Sequence, residues 1–288
     1  MKIKPGEMKV RGKLPPSTQS MKYKNRLYRY SVPSEEYKPS QPPKPDERKN
    51  QSALIKNEKD GFIAAYNAIN TSGALGTMVA YHADMTHMMH SNMGPGGTQR
   101  FLPWHRVYLS ELEELLQGVG GDDITIPYWD WTVDTNIPVW LQSFTPTVTG
   151  VSNPDITFPV VVTRTPGAAG IPLPSQQDVN TTMGHNQYTP FTICLEAGRG
   201  AGSHQHVQSF MHDGVHVWVG GTMGSIPTAP ADPIFWMHHA NIDRIWDLWQ
   251  KQNPNLNPTL SPPNDTMDPW TVTEPDTRDT LNFGYIYV

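Results

Sequence analysis

DPIFWMHHANIDRIWDLWQKQ, residues 232–252, is the stretch that decides the fold. Asp232 is a capping residue and Pro233 stands at the first helical position, where the missing N–H is not needed and the ring presets φ. Apolar side chains then recur at helical spacing until Asn253-Pro254 stops the run. His238 and His239 lie adjacent in its middle and point about 100° apart, so only one of them can face a given ion. The segment predicts a long helix with an imidazole in its buried part.

Outward from this helix, four more segments carry the same period. Residues 52–70 place Leu54, Phe62, Ala65, Tyr66 and Ile69 on one side, and residues 74–90 continue with Leu75, Met78, Val79 and His82. A third helix is expected from about Trp104 to Gln117, where Val107, Leu109, Leu112, Leu115 and Leu116 alternate with glutamates before Gly118. A fourth is expected from near Ser203 to Gly220 and Gly221. Residues 118–202 differ: they are rich in Pro, Gly, Thr and Val, with short extended candidates in ITIPYW and FPVVVT and no helical period. So long a loop inside a compact domain is functional or a local substructure. There is no internal repeat, and the fold class expected is mainly α.

With 288 residues, 37% of them hydrophobic, the chain can bury one substantial core, and one catalytic domain is expected. A split near residue 150 would place histidines of one site on both sides of a boundary. No apolar run approaches the roughly 20 residues that span a bilayer, and the start MKIKPGEMKV lacks a signal peptide's apolar stretch. A soluble chain of open compartment is the expectation. Cys194 stands alone, which excludes disulfides within the chain and zinc sites built on paired cysteines.

Charge is uneven. Residues 1–50 hold 13 of the 22 Lys and Arg against 5 of the 27 Asp and Glu, a balance of +8 that leaves −13 on the remainder. A basic segment can bind nucleic acid or an anionic membrane. Its Pro-rich stretch from Pro33 to Pro45 reads more simply as an extended arm lying on an acidic body, with neither nucleic acid nor membrane as partner. The division expected is an arm over 1–47 and a catalytic domain over 48–288.

Ten of the eleven histidines fall in two groups: His82, His87, His90 and His105, then His204, His206, His212, His216, His238 and His239. Neutral imidazole is a common ligand for copper, zinc and iron. A lone histidine is more often a hydrogen-bonded core residue; this grouping is not that case. His212 and His216 are four apart in the mostly apolar SFMHDGVHVWVGG, so both reach one ion from one helix face. The helix at 232–252 offers the third ligand. His82 and His90, eight apart, and His105 after the Gly-rich loop repeat the arrangement. No HExxH motif is present and no cysteine lies among the histidines. Two all-histidine sites on four helices fit a bundle that holds a metal pair in its core.

FLPWHR at 101–106 with Tyr108, Leu109 and Glu113 resembles the copper-A signature of the tyrosinase family of coupled dicopper proteins, and DPIFWMHHANIDRIW at 232–246 resembles its copper-B signature. His212 and His216 followed by WVGGTMG match the other copper-B element, and TyrIleTyr at 285–287 resembles the tyrosine motif closing the catalytic domain. The resemblance is bacterial-like and spans about residues 48–288. It implies a four-helix bundle enclosing two copper ions, with long irregular loops and little sheet. It implies dioxygen as co-substrate and small phenols as substrates: monophenols hydroxylated to o-diphenols, o-diphenols oxidised to o-quinones.

Carried over by position, copper A takes His82, a middle histidine and His105, and copper B takes His212, His216 and His239, leaving His238 to packing. The family's middle ligand stands nine residues before the histidine of the Trp-His pair, which here is Gly96; an insertion is required. His90 is preferred over His87, being nearer the direction of His82 on a continued helix and nearer the loop. Asp213 and Glu196 are the candidate groups for handling the phenol proton, Ile226 for the pocket entrance, and Trp129, Trp131 and Trp236 for the core. Asp243 and Arg244 are expected to steady the ligand helix, and Arg48 to pair with the closing tyrosines. Without a cysteine near His82–His90, the thioether of many fungal and plant relatives cannot form. The resemblance also admits a catechol oxidase without monophenol hydroxylation and a haemocyanin-like dioxygen carrier, although an end at TyrIleTyr leaves no carboxy-terminal cover.

Overall fold

The computed structural model describes residues 44–197 and 211–288, together with the backbone of strands β1 (Ser17–Tyr23) and β2 (Arg26–Val32). β1 and β2 form an antiparallel pair. Apart from β1, β2 and residues 44–47, the expected arm lies outside the described residues, as do His204, His206 and the expected start of the fourth helix near Ser203. The remaining strands are short: β3 (Asp46–Arg48), β4 (Thr147–Val148), β5 (Val160–Val161) and β6 (Tyr285–Tyr287). The helices are α1 (Lys56–Thr71), α2 (Ala74–Ala83), α3 (Pro95–Gly120), α4 (Gln176–Met183), α5 (Tyr188–Ala197), α6 (Met211–Val219) and α7 (Pro233–Gln252). This is the mainly helical fold expected. Among the described residues no helix is long and apolar enough to cross a membrane.

α7 begins where its cap requires. The Asp232 carboxylate accepts the Ile234 N–H at 2.9 Å and is clamped from outside by Arg164, with two contacts of 2.7 Å. Arg164 belongs to the long loop, and its other donors reach the carbonyls of Leu141 and Phe144. The loop thus holds the start of the histidine-bearing helix. α2 buries Leu75, Met78, Val79 and His82, the i, i+3, i+4, i+7 stripe, which turns His82 into the core.

α3 is buried nearly all round from Arg100 to Ser110, the mark of a central helix. Its interior Pro103 cannot donate to the Gln99 carbonyl. The Tyr188 hydroxyl from α5 donates to that carbonyl instead, at 3.2 Å.

Three expectations need correction. α2 stops at Ala83, because the Asp84 carboxylate turns back to the Thr86 N–H and hydroxyl, so His87 and His90 are not on a continued helix. α3 starts at Pro95, about two and a half turns before Trp104, since Gly94 (φ 93°) and Pro95 supply the break and the first helical residue. The segment 118–202 contains α4 and α5: a Ser175–Asp178 capping box is the local signal for α4, and in α5 the buried Tyr188, Phe191, Thr192 and Leu195 keep helical spacing over only ten residues. Val160–Val161 of FPVVVT is a strand, and Tyr128 of ITIPYW bridges to Asn50.

A buried polar cluster ties the helices to the chain ends. Asp243 on α7 accepts from Arg106 Nε at 2.6 Å and from the hydroxyls of Tyr285 and Tyr287 at 2.5 and 2.6 Å. Arg48 donates to Glu113 at 3.0 Å and lies 3.5 Å over the Tyr285 ring, while β3 pairs with β6 in parallel. Removing one partner from such a cluster leaves a buried charge uncompensated. Asp243→Ala is therefore expected to cost about 3–5 kcal/mol in urea unfolding, and a loss under about 1 kcal/mol would show the cluster to be worth no more than exposed ion pairs.

Candidate metal centre

The bundle brings two groups of histidines together. His82 on α2, His105 on α3 and His90 on the connection between them form one group, with Nε2 of His82 3.4 Å from Nε2 of each of the other two. His212 and His216 on α6 meet His239 on α7, with Nε2 separations of 3.0, 3.2 and 3.3 Å. The groups abut where the rings of His105 and His239 stack, 4.4 Å apart and 14° from parallel.

Hydrogen bonds fix the tautomers. The second ring nitrogen, Nδ1, faces a carbonyl oxygen in His82 (Ile226, 2.9 Å), His105 (Phe101, 2.8 Å) and His216 (Met223, 2.9 Å). In His90 it faces Glu196 at 3.4 Å and in His212 Asp213 at 3.0 Å. The carbonyls and the Asp213 carboxylate accept, so in His82, His105, His216 and His212 Nδ1 carries the hydrogen and Nε2 presents its lone pair; Nδ1 of His239 has no hydrogen-bond partner among the described residues. Burial, then the neighbouring imidazoles, push the pKa values of His82, His105, His212 and His239 well below the usual histidine range, and burial brings His216 down to about 4.

These residues fit metal ions. The α6–α7 triangle, with sides of 3.0, 3.2 and 3.3 Å, has corners about 1.8 Å from its centre, close to a metal–imidazole bond of about 2.0 Å. Neutral lone pairs converging at this range repel one another without a cation. An all-imidazole set suits copper or zinc and gives no thiolate or carboxylate ligand.

His238 lies within reach of the second group. Its Nδ1 accepts from Trp131 Nε1 at 3.1 Å, which leaves the hydrogen on Nε2 and no lone pair there. His87 is directed elsewhere: its Nδ1 is 2.5 Å from Asp268, a residue also bound by Arg100. The connection carries His90 inward through turns at Met88 (φ 46°) and Gly94, and a Cβ at Gly97 would collide with the His90 carbonyl oxygen. The GPGG run was the sequence signal for this close approach.

A cleft of about 300 Å³ opens onto both groups, lined by His82, His90, His212 and His216 among others. Glu196, whose side chain is 4% exposed, also lines it and accepts from the Ser91 N–H at 2.9 Å. Asp213, 50% exposed, stands at the same wall, and Ile226 is part of it. The rings of Phe101 and Phe235 pack on the histidines from the core side, 4.9 Å from His212 and 4.1 Å from His239. Trp129, Trp131 and Trp236 are core residues, as expected. What sequence reasoning missed are the supports: Trp131 on His238, Ser91 on Glu196 and Arg106 on Asp243, contacts between residues far apart in the chain.

The family profile for the common central domain of tyrosinase matches residues 73–164 and 146–252, which hold every histidine of both groups. The tyrosinase of Streptomyces glaucescens is 31% identical over 79% of this chain and 93% of its own length. In fold, a tyrosinase from Burkholderia thailandensis superposes with a TM-score of 0.63 (20% identity, covering 85% of this chain and 73% of that one). An octopus haemocyanin functional unit gives 0.60 (21% identity, 84% and 68%).

The depressed histidine pKa values set a pH dependence for the metal-free protein. The unfolded chain takes up protons below about pH 6.5, whereas burial makes the folded chain refuse them down to about 4 at His216 and to well below the usual histidine range at His82, His105, His212 and His239. Stability is thus fully present above about 6.5 and lost as pH falls below it. The melting temperature is expected to fall steadily from about pH 7 to about pH 5, and a flat profile would mean that the imidazoles are not held neutral.

Proposed function

The chain belongs to the tyrosinase family of dicopper phenol oxidases, and from that premise we propose that it hydroxylates monophenols to o-diphenols as well as oxidising o-diphenols to o-quinones. The observation that carries this reading is the pair of abutting histidine groups, each presenting Nε2 lone pairs, under a cleft open to a small phenol. We assign His82, His90 and His105 to copper A and His212, His216 and His239 to copper B. Residues 48–288 form the catalytic unit in this reading, with Arg48 buried beneath the closing tyrosines, and residues 1–47 are a basic arm whose last two residues, Asp46 and Glu47, join that unit through β3.

Copper, when bound, supplies the activation of dioxygen and the electron transfers to and from the phenol. The chain supplies the rest. The carbonyls of Ile226, Phe101 and Met223 and the carboxylates of Glu196 and Asp213 orient the imidazoles. Phe101 and Phe235 keep water from the inner side of the site.

Two carboxylates face the substrate cleft in different ways. Glu196 is buried and pinned by the Ser91 N–H, which suits it to holding His90 and a cleft water. Asp213 is half exposed beside His212 and is the group placed to take the phenol proton, directly or through water. A monophenol, with a pKa near 10, needs such help at neutral pH. A diphenol needs it less. A catechol oxidase or a haemocyanin-like dioxygen carrier are the outcomes against which this is tested.

Two experiments check the reading. His90→Ala and Gly97→Ala, the second acting by displacing the His90 backbone, should each lose one of two bound coppers and the activity. His87→Ala should keep both metals; the reverse pattern would reassign the ligand. Asp213→Ala should lower tyrosine turnover by about 10²-fold, within the range of general-base contributions, and catechol turnover much less. Equal losses would reduce Asp213 to holding His212. No tyrosine turnover in the unaltered enzyme, even primed with a trace of diphenol, would make it a catechol oxidase, and no turnover of either substrate a carrier.

A further inference from the structure

A run of aromatic rings starts against the histidines and ends at solvent without a part in the mechanism above. Trp104 is fully buried, its ring centroid 5.1 Å from that of His105 and 6.0 Å from that of His82. On its far side Trp270 lies 5.4 Å away, and Tyr81 stands edge-on to Trp270 at 5.8 Å. Trp270 and Tyr81 are half-buried and wall an open cleft of about 450 Å³ that shares no lining residue with the histidine cleft.

We propose that this run is an electron-escape path, which protects the metal centre and its ligands when oxidising equivalents form with no phenol in reach. The proposal rests on the copper reading above. One electron passes from Trp270 or Tyr81 through Trp104 to the oxygen-loaded dicopper centre, and the outer ring gives its N–H or O–H proton to water in the cleft. The centre is reduced by one electron and the outer residue is left a neutral radical. A reductant of the phenol or ascorbate class in solution returns that residue to rest by giving it one hydrogen atom.

Proton acceptors decide where the oxidation comes to rest. Trp104 Nε1–H donates to the Asp268 carbonyl at 2.7 Å, and the Tyr108 hydroxyl, whose ring is 4.7 Å from that of Trp104, donates to the Met78 carbonyl at 2.7 Å. A backbone carbonyl does not take a proton. Oxidised Trp104 would keep its positive charge inside the core, where an unpaired charge is costly. Only at Trp270 and Tyr81 is water at hand. Two other half-buried tryptophans serve as internal controls: Trp140 packs edge-on to Phe62 and Trp218 against Trp129, and neither is in ring contact with a histidine among the described residues.

The test uses the full chain loaded with copper and treated with a small excess of hydrogen peroxide in the absence of phenol, followed by proteolysis and mass spectrometry of oxygen adducts. Oxidation at Trp270 and Tyr81 is expected to exceed that at Trp140 and Trp218 several-fold. The excess should vanish in metal-free protein and in Trp104→Phe, which keeps a ring in place but is far harder to oxidise. Should Trp104→Phe fail to fold, Trp270→Phe is read instead: the run joins Tyr81 to Trp104 through Trp270, so the excess at Tyr81 is expected to vanish. Equal oxidation of Trp270, Trp140 and Trp218, or the same excess without copper, overturns the path. If copper binds and phenols are oxidised but Trp270 stays at the level of Trp140, the path alone falls; if no copper binds, the path and the copper reading fall together.

Discussion

Asp243 and Arg106 meet at 2.6 Å with both side chains buried, and the register of the whole centre hangs on that contact. Arg106 directly follows His105 on α3, and Asp243 lies one turn beyond His239 on α7. Locking these two residues locks the two helices so that His105 and His239 stack. The same Asp243 carboxylate takes the hydroxyls of Tyr285 and Tyr287, which draws the end of the described chain into the lock. A buried ion pair is seldom a net source of stability against an apolar alternative. Its value here is positional: apolar contacts slide, whereas a carboxylate with three fixed donors does not.

Much of this was legible in the sequence because it is local. The spacing of Leu75, Met78, Val79 and His82, the four-residue interval of His212 and His216, and the Asp232-Pro233 start each follow from one helix's geometry. His90 was chosen over His87 for a reason the structure removes, since α2 ends at Ala83. The choice of residue coincides with the group that forms, but the cause is a folded-back connection seated on Gly97, not a continued helix face. Such a connection leaves only a Gly-rich run as its trace. α4 buries only three residues and leaves its capping box as its trace, whereas Tyr188, Phe191, Thr192 and Leu195 of α5 do keep helical spacing, over only ten residues.

The partners of the histidines were the least legible part. Ile226 and Met223 support imidazoles through backbone carbonyls, which any residue type supplies, so composition carries no signal of them. Glu196 was singled out as a proton-handling group, and its geometry shows a carboxylate held by Ser91 against His90. Trp131 determines by one N–H which nitrogen of His238 is protonated, and so separates two adjacent histidines that sequence alone distinguishes only by resemblance.

The two histidine groups are unequal in their mounting. His212, His216 and His239 all stand on helices, whereas one of the other three, His90, rides on a connection of short turns between α2 and α3. A helical trio is assembled as soon as α6 packs on α7. The first site is complete only once that connection has closed over the start of α3. The first group therefore depends on the fold of a connection as well as on helix packing, so a change confined to residues 84–94 can disturb it while the α6–α7 group stays assembled.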